Sequence, residues 1–562
     1  ESRGLGDVYK RQALAQSPTR RAPHHRHSAA EPSTATFFTH RTKPCFIGTF
    51  PLSLKKTILW FSLALRFRFS YNKVKYYHFI RKLEDFPIEE ALKKKRQGYG
   101  NPGTGERSSR MSIYSEIKPE VRMFADMCVE NSRIDPELYL KYDVKRGLRD
   151  LNGKGVLTGL TNISEIISSK TVDGKSVPCE GELYYRGYSV EELVRRQLAG
   201  DHFGYERTAY LLLFGELPDE EHFKTFCELL SFYRTLPTSF VRDIIMKAPS
   251  SDMMNTLARS VLTLYSYDED AEDISIPNVL RQSMQLIALF PLLSVYGYQA
   301  YRHYHDGQSL FIHQPDPKLS TAENILRILR PDCSYTELEA RVLDIALILH
   351  ADHGGGNNST FTTRVLTSAG TDMYSAIGAA VGSLKGFKHG GANHQVRMMM
   401  DDLMAHVERW DDEDEVEAYL EKILRGEAAD GSGLIYGMGH AIYTLSDPRA
   451  VILKERAQCL AEEKGFGEKL RLYETVERLS PAAFRKVTGK DKVISANVDF
   501  YSGLVYEMLG IPEDLFTPMF AVSRIAGWCA HRIEELTTGG RIMRPAYRAL
   551  PVDQKYVPLD ER

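Results

Sequence analysis

With 562 residues, 43% of them hydrophobic and 26% charged, the chain has the bulk of a globular protein large enough for one extended core or several ordinary domains. Its net charge of −2 hides an asymmetry: residues 1–110 carry 22 Lys and Arg against 8 Asp and Glu, so the remainder is acidic and offers no chain-wide basic face for nucleic acid. Seven scattered cysteines, none in a C-x-x-C pair, argue against a disulfide framework or a zinc ribbon and fit free thiols in a reducing cytosol.

Residues 1–110 contain no methionine, and the first in the chain is Met111. They mix PTRRAPHHRHSAAEP with a run at Lys93, Lys94 and Lys95, without periodicity. We read them as an irregular upstream leader outside the folded protein. The apolar stretch Thr57–Leu65 behind two lysines is far shorter than the roughly 20 residues that span a bilayer. From Met111 onward no window reads as a membrane span, so the expectation is a cytoplasmic protein without membrane or nucleic-acid partners.

Beyond Met111 the pattern is helical. EELVRRQLAG, YERTAYLLLFGEL, LEARVLDIALILHA and VEAYLEKILRG place apolar residues three and four apart. Strand signals are scarce, and EGELYYRGYS is the best candidate hairpin. The helix in MYSAIGAAVGSLKG is dominated by small residues, including Gly378 and Gly382. Glycine inside a helix costs about 1 kcal/mol relative to alanine, so another backbone is expected to approach closely, either within the subunit or across an interface. About 450 helical residues exceed the size at which one core stops growing, which predicts a second lobe.

Four segments set His or Asp beside Gly or Asn at helix ends, where unpaired backbone groups can meet a ligand. They are ILHADHGGGNNSTFTTR (348–364), GSLKGFKHGGANHQV (382–396), GLIYGMGHAIYTLSDPR (433–449) and ISANVDFYSG (494–503). Singly each has an ordinary reading. His389 alone could be a satisfied structural residue, and Asp499 alone a helix N-cap. His350, Asp352 and His353 lack a third ligand at a standard metal spacing, so no metal is expected. GYGNPG (98–103) follows a lysine run instead of an apolar strand, and no G-x-x-x-x-G-K-[ST] loop is present, which excludes the usual nucleotide motifs.

Together, HADH…NNSTFTTR, HGGAN, YGMGHAIYTLSDPR, NVDFYSG, SRIAGW and the late RPAY resemble the citrate synthase family in order and spacing, from about Leu157 to Arg548. The upstream YRGYSVEEL and LLFGELP are similar to its N-terminal half. The resemblance implies an all-α fold with a large helical domain (111–390 and 504–562) and a smaller one (391–503) that closes over the substrates. It implies His389, His440 and Asp499 as the catalytic triad, and His353, Arg449, Arg524 and Arg544 as the oxaloacetate-binding residues. Leu434, Ile435, Gly437 and Met438 fall on a CoA-contacting loop, whose glycines would let backbone approach the cofactor-like co-substrate; Lys492 is a candidate partner for CoA phosphates on charge alone.

The implied reaction joins acetyl-CoA, as co-substrate and with no permanently bound cofactor, to oxaloacetate. The residue types suit that chemistry. Guanidinium forks match the two carboxylates of a dianion. A carboxylate with an ordinary pKa of about 3.9 can deprotonate a thioester methyl only in a dry site where a neighbouring donor stabilises the enolate. The resemblance also implies a homodimer in which Arg544 reaches the partner's site. Three alternatives stand beside it: the same chemistry on propionyl-CoA giving 2-methylcitrate, a citryl-CoA lyase, and an inactive binding paralogue, against which the intact set of seven residues argues.

Overall fold

The computed structural model describes residues 117–561 apart from 151–153, 199, 201–202, 441 and 551–554. The leader read at 1–110 lies outside the described residues. The described residues up to Asp135 and those from Pro136 onward belong to separate units. Of the first, the described part contains α1 (Pro119–Asn131), which begins at a proline whose missing N–H is not needed there and leaves Val121, Phe124 and Met127 exposed.

The second unit opens with α2 (Pro136–Lys141) and an antiparallel sheet of β1 (Ser164–Val172), β2 (Lys175–Tyr185) and β3 (Tyr188–Ser189). EGELYYRGYS is indeed a hairpin, with Tyr184 paired to Ser189 and Tyr185 to Tyr188. The larger hairpin, β1 with β2, was not expected. Its signal is Asp173-Gly174, where both residues take positive φ (52° and 75°), the backbone that a two-residue turn requires.

The remainder is helical: α3 (Val190–Leu198), α4 (Tyr205–Phe214), α5 (Glu220–Tyr233), α6 (Met253–Leu264), α7 (Ile276–Asp306), α8 (Thr321–Leu329), α9 (Glu337–His350), α10 (Asn358–Ser368), α11 (Met373–Lys385), α12 (Ala392–His406), α13 (Glu413–Leu424), α14 (Pro448–Lys464), α15 (Gly467–Thr488), α16 (Val498–Met508) and α17 (Phe516–Thr538). Local chemistry fixes several starts. Ser320 and Thr336 form reciprocal capping boxes with Glu323 and Glu339 at the heads of α8 and α9.

Helix α17 is the axis of the core. It packs against α4, α7, α9 and α10, and its Arg524, Trp528 and His531 are fully buried. The sequence reading that no window approaches a membrane span needs correction at α7, which is long and apolar enough by composition. Its apolar window is 83% buried inside the protein, so its length serves the core. The small residues of α11 divide in use. A Cβ on Gly378 would stand 3.0 Å from Leu262 of α6, so there the close approach is within the subunit, whereas one on Gly382 would meet nothing within 4 Å.

Candidate active site

Helix α9 ends at His350, and the chain turns through Ala351–Gly356 carrying Asp352 and His353. Tyr185 at the end of β2 secures this turn, its hydroxyl donating toward the carbonyls of Ile348 (3.0 Å) and Asp352 (3.2 Å). Asp352 is anchored from the other side. It accepts Gly354 N–H at 2.9 Å, the Ser164 hydroxyl and His531 Nε2, while Arg364, which can only donate, occupies His531 Nδ1 at 3.0 Å. Those partners, with Arg524 nearby, overcome burial and hold the Asp352 carboxyl well below the usual range. His353 therefore projects from a stretch fixed on both flanks.

His353 is 5% exposed, its Nε2 has no hydrogen-bond partner, and its ring lies 5.3 Å from that of His440. Burial, then Arg449, His440 and Arg524, push its pKa well down, so it is neutral.

The loop before α14 places His440. Its Nδ1 accepts two backbone N–H groups, from Ile442 (3.1 Å) and Tyr443 (3.0 Å). That leaves the ring proton on Nε2. Burial and the Arg449 charge lower its pKa to about 4, so the donor is a neutral imidazole.

His389 sits in the turn between α11 and α12, with Nε2 3.1 Å from Ser359 Oγ. Ser359 also accepts the Trp528 indole N–H at 3.2 Å and donates to Asn357 Oδ1 at 2.9 Å. In that arrangement His389 donates from Nε2. Rotating the serine hydroxyl toward His389 would transfer the ring proton to Nδ1. Burial and Arg524 bring the His389 pKa to about 4.

Asp499 is in the first turn of α16, but it is not the N-cap. Asn497 takes that place, accepting Asp499 N–H at 3.0 Å and donating from Nδ2 to Gly439 O at 2.8 Å. With Asn497 N–H on Gly437 O (2.9 Å) and Gly439 N–H on Ser495 O (2.6 Å), the His440 loop and the Asp499 strand are stitched together. Burial, with Asp447 adding to it, raises the Asp499 carboxyl to about 6 against the pull of Arg449 and Arg524.

The two arginines differ. Arg524 is fully buried, lies over the Phe520 ring at 4.7 Å and donates Nε–H to His350 O at 2.7 Å, while among the described residues Nη1 and Nη2 have no hydrogen-bond partner. Burial lowers its pKa to about 10, which still leaves it charged. A buried guanidinium face without a carboxylate is costly and is the arrangement expected where an anion must bind. Arg449 is already engaged. Its Nε and Nη2 grip Asp447 at 3.0 and 2.7 Å, and Asp447 also caps α14 and accepts Val498 N–H at 3.2 Å. The Arg449 fork is thus half-occupied by a protein carboxylate. Arg449 and Arg524 are the electrostatic neighbours through which His353, His389, His440 and Asp499 converge.

Arg544 is not brought to the other six within this chain. It is exposed in the tail after α17, next to Met543, whose N–H donates to Ser368 Oγ at 3.1 Å. On the loop 434–438, Leu434 is exposed and Ile435 buried. Gly437 has a packing reason of its own: at φ 77° its Cβ would lie 2.8 Å from Phe500 and Val396. Lys492 is exposed on the segment leading to Asn497. Asp447, Ser359 and Asn497 were missed in the sequence, although Asp-Pro at 447–448 and Asn two residues before Asp499 are cap signals.

A helical fold that surrounds a buried guanidinium with neutral imidazoles and one high-pKa carboxyl has the groups to hold a small anion and to take up a proton beside it. Residues 150–546 match the citrate synthase C-terminal domain. A citrate synthase of Haloferax volcanii is 35% identical over 426 residues, covering 75% of this chain and 99% of the relative. A 2-methylcitrate synthase of Shewanella oneidensis is 33% identical over 385 residues, 68% of this chain and 92% of the relative. Among solved structures, the citrate synthase of Thermoplasma acidophilum in ternary complex with carboxymethyl coenzyme A and oxaloacetate is similar at TM-score 0.61 and 28% identity, over 75% of this chain and 99% of that one. The chain belongs to the citrate synthase family.

Proposed function

We propose that this chain condenses acetyl-CoA with oxaloacetate and water to give citrate and CoA, with the unpaired face of Arg524 as the observation that carries the reading. In this reaction Arg524 takes one oxaloacetate carboxylate through Nη1 and Nη2. Arg449 contributes its remaining Nη1, and His353 donates from Nε2. His440 donates Nε2–H to the ketone oxygen, polarising the carbon and receiving the alkoxide charge as it forms.

Asp499 removes a proton from the acetyl methyl group. A pKa raised to about 6 makes it a stronger base than an ordinary aspartate yet keeps it ionised at neutral pH. The enolate oxygen accepts a hydrogen bond from His389, for which the Ser359 hydroxyl turns toward Nε2 and the proton moves to Nδ1. The enolate carbon bonds to the ketone carbon, and His440 helps protonate the alkoxide. Water then cleaves the thioester C–S bond of citryl-CoA, releasing the thiol. The loop carrying Leu434, Ile435, Gly437 and Met438, with Lys492 for a phosphate, takes the CoA side. Residues 391–503 form the smaller domain that closes over 111–390 and 504–562, excluding water before proton abstraction.

The test is thiol release with oxaloacetate and either acetyl-CoA or propionyl-CoA. Acetyl-CoA is expected to have the higher kcat/KM; a higher value for propionyl-CoA would reassign the substrate, and release with neither would refute the reading. The enzyme acts as a homodimer with Arg544 completing the partner's site, supported by its exposed place outside its own site. Mixing Arg544→Leu with Asp499→Ala, each inactive alone, should restore activity to about a quarter of all sites under random two-fold pairing. Silence from a verified mixed dimer would refute the sharing.

A further inference from the structure

Away from these residues, α4, α5 and the segment leading into α8 line a half-open cleft of about 190 Å³, with the exposed Lys318 at its edge, that the condensation does not use. Its charged lining is unusual. Arg234, at the C-terminal end of α5, is 7% exposed; among the described residues its side chain forms no ion pair, and its one side-chain hydrogen bond runs from Nη1 to Leu319 O at 3.2 Å. Glu206 of α4 is 5% exposed, and only its Oε1 is used, by Thr321 N–H at 2.6 Å.

The two opposite charges influence each other across the same cavity, yet no ion pair joins them. Buried partners that could neutralise one another normally meet. Their separation leaves a guanidinium edge and a carboxylate oxygen facing a shared space. Glu323 does not compete, since its oxygens take Ser320 N–H and the Tyr335 hydroxyl. The head of α8 is closed by its capping box, so backbone amides are not the attraction. Phe203, Phe223 and Leu230 supply apolar wall, and burial followed by the Glu206 charge pushes the Cys227 thiol up to about 12, leaving it protonated and unreactive.

We propose that this cavity binds a free α-amino acid with an apolar side chain, its carboxylate on Arg234, its ammonium on Glu206 and its side chain against the aromatic wall. The site is also wired to the centre of the fold. Tyr205, next to Glu206, donates its hydroxyl to Val522 O at 2.7 Å, two residues before Arg524. Asp344 of α9 holds the head of α4 through Gly204 N–H (2.7 Å) and Tyr205 N–H (3.1 Å). The bound amino acid therefore alters the affinity for oxaloacetate; this second half rests on the proposed function, the binding half does not.

The experiment uses the full chain and calorimetric titration with L-leucine and L-phenylalanine, with and without saturating oxaloacetate. Binding should persist with oxaloacetate present and weaken about tenfold or more for the methyl ester and for the N-acetyl derivative, each of which lacks one charge. Arg234→Gln should weaken it similarly while leaving thiol-release kcat unchanged. Because the blocked ligands are compared on unaltered protein, misfolding of the variant cannot decide the result. Equal binding of free and blocked ligands, or no binding, overturns the site. Binding that leaves the oxaloacetate KM within twofold overturns the coupling.

Discussion

Replacing Asp499 by Asn should stabilise the protein while abolishing condensation. Burial pushes the Asp499 carboxyl up to about 6, against an ordinary aspartate value of 3.8. At 1.36 kcal/mol per unit, holding the carboxylate ionised costs the fold up to about 3 kcal/mol at pH 7.5, and less in practice because the residue is only partly buried. The sign follows from proton binding: the folded state holds this proton more tightly, so the penalty is complete above pH 6 and gone below the unfolded value near 4. Asn keeps the shape and removes the charge. Urea unfolding at pH 7.5 should therefore show Asp499→Asn more stable by about 1–3 kcal/mol, with the difference vanishing by pH 4. With Asp499 as the proposed base, the same titration should govern the rate. In the wild type kcat/KM should fall below about pH 6, since His389 and His440, both at about 4, remain neutral across that range. An Asp499→Asn protein no more stable than wild type at pH 7.5 would refute the raised carboxyl, and with it the explanation of why this aspartate is a competent base.

Three further outcomes follow from the same geometry. Arg524→Leu removes two charge-assisted hydrogen bonds worth about 1.5–3 kcal/mol each, so calorimetry should show oxaloacetate binding weakened by about 10²–10⁴-fold; a change under threefold would remove Arg524 from the anion site. Asp447→Asn strips Arg449 of its buried partner, and chemical denaturation should register a loss of about 3–5 kcal/mol. Asp499→Ala should leave oxaloacetate binding near wild type by calorimetry while thiol release stops, and joint loss of both would mean that Asp499 holds the dianion.

The helices were legible because each depends on local pattern, apolar spacing for α4, α9 and α13; His353, His389, His440 and Asp499 were singled out by their match to the family's ordered motifs, since each local signal alone had an ordinary structural reading. The supporting residues were not, because their partners are far away in sequence. Nothing near Ser359 announces that Trp528 and His389 converge on its hydroxyl. Nothing near Asp352 announces His531, 179 residues later. The Arg449–Asp447 pair, only two residues apart, was not foreseen either, because nothing in the sequence says that the guanidinium turns back onto the residue that caps its own helix. The β1–β2 hairpin was missed although Asp173-Gly174 is a strong local turn signal, because helical periodicity elsewhere dominated the reading.

One consequence of the Arg524 pocket concerns the protein's lifetime. Its two guanidinium nitrogens, and His353 Nε2, have no hydrogen-bond partner among the described residues, a gap in the hydrogen bonding of the core itself. An anion that fills this gap binds the native state and not the unfolded chain, so it adds RT ln(1 + [L]/Kd) to stability, about 2.7 kcal/mol at a hundredfold excess over Kd. Proteases that cut transiently opened chains would then degrade the enzyme more slowly when its substrate is abundant. Metabolic supply would set how much enzyme survives as well as how fast it works.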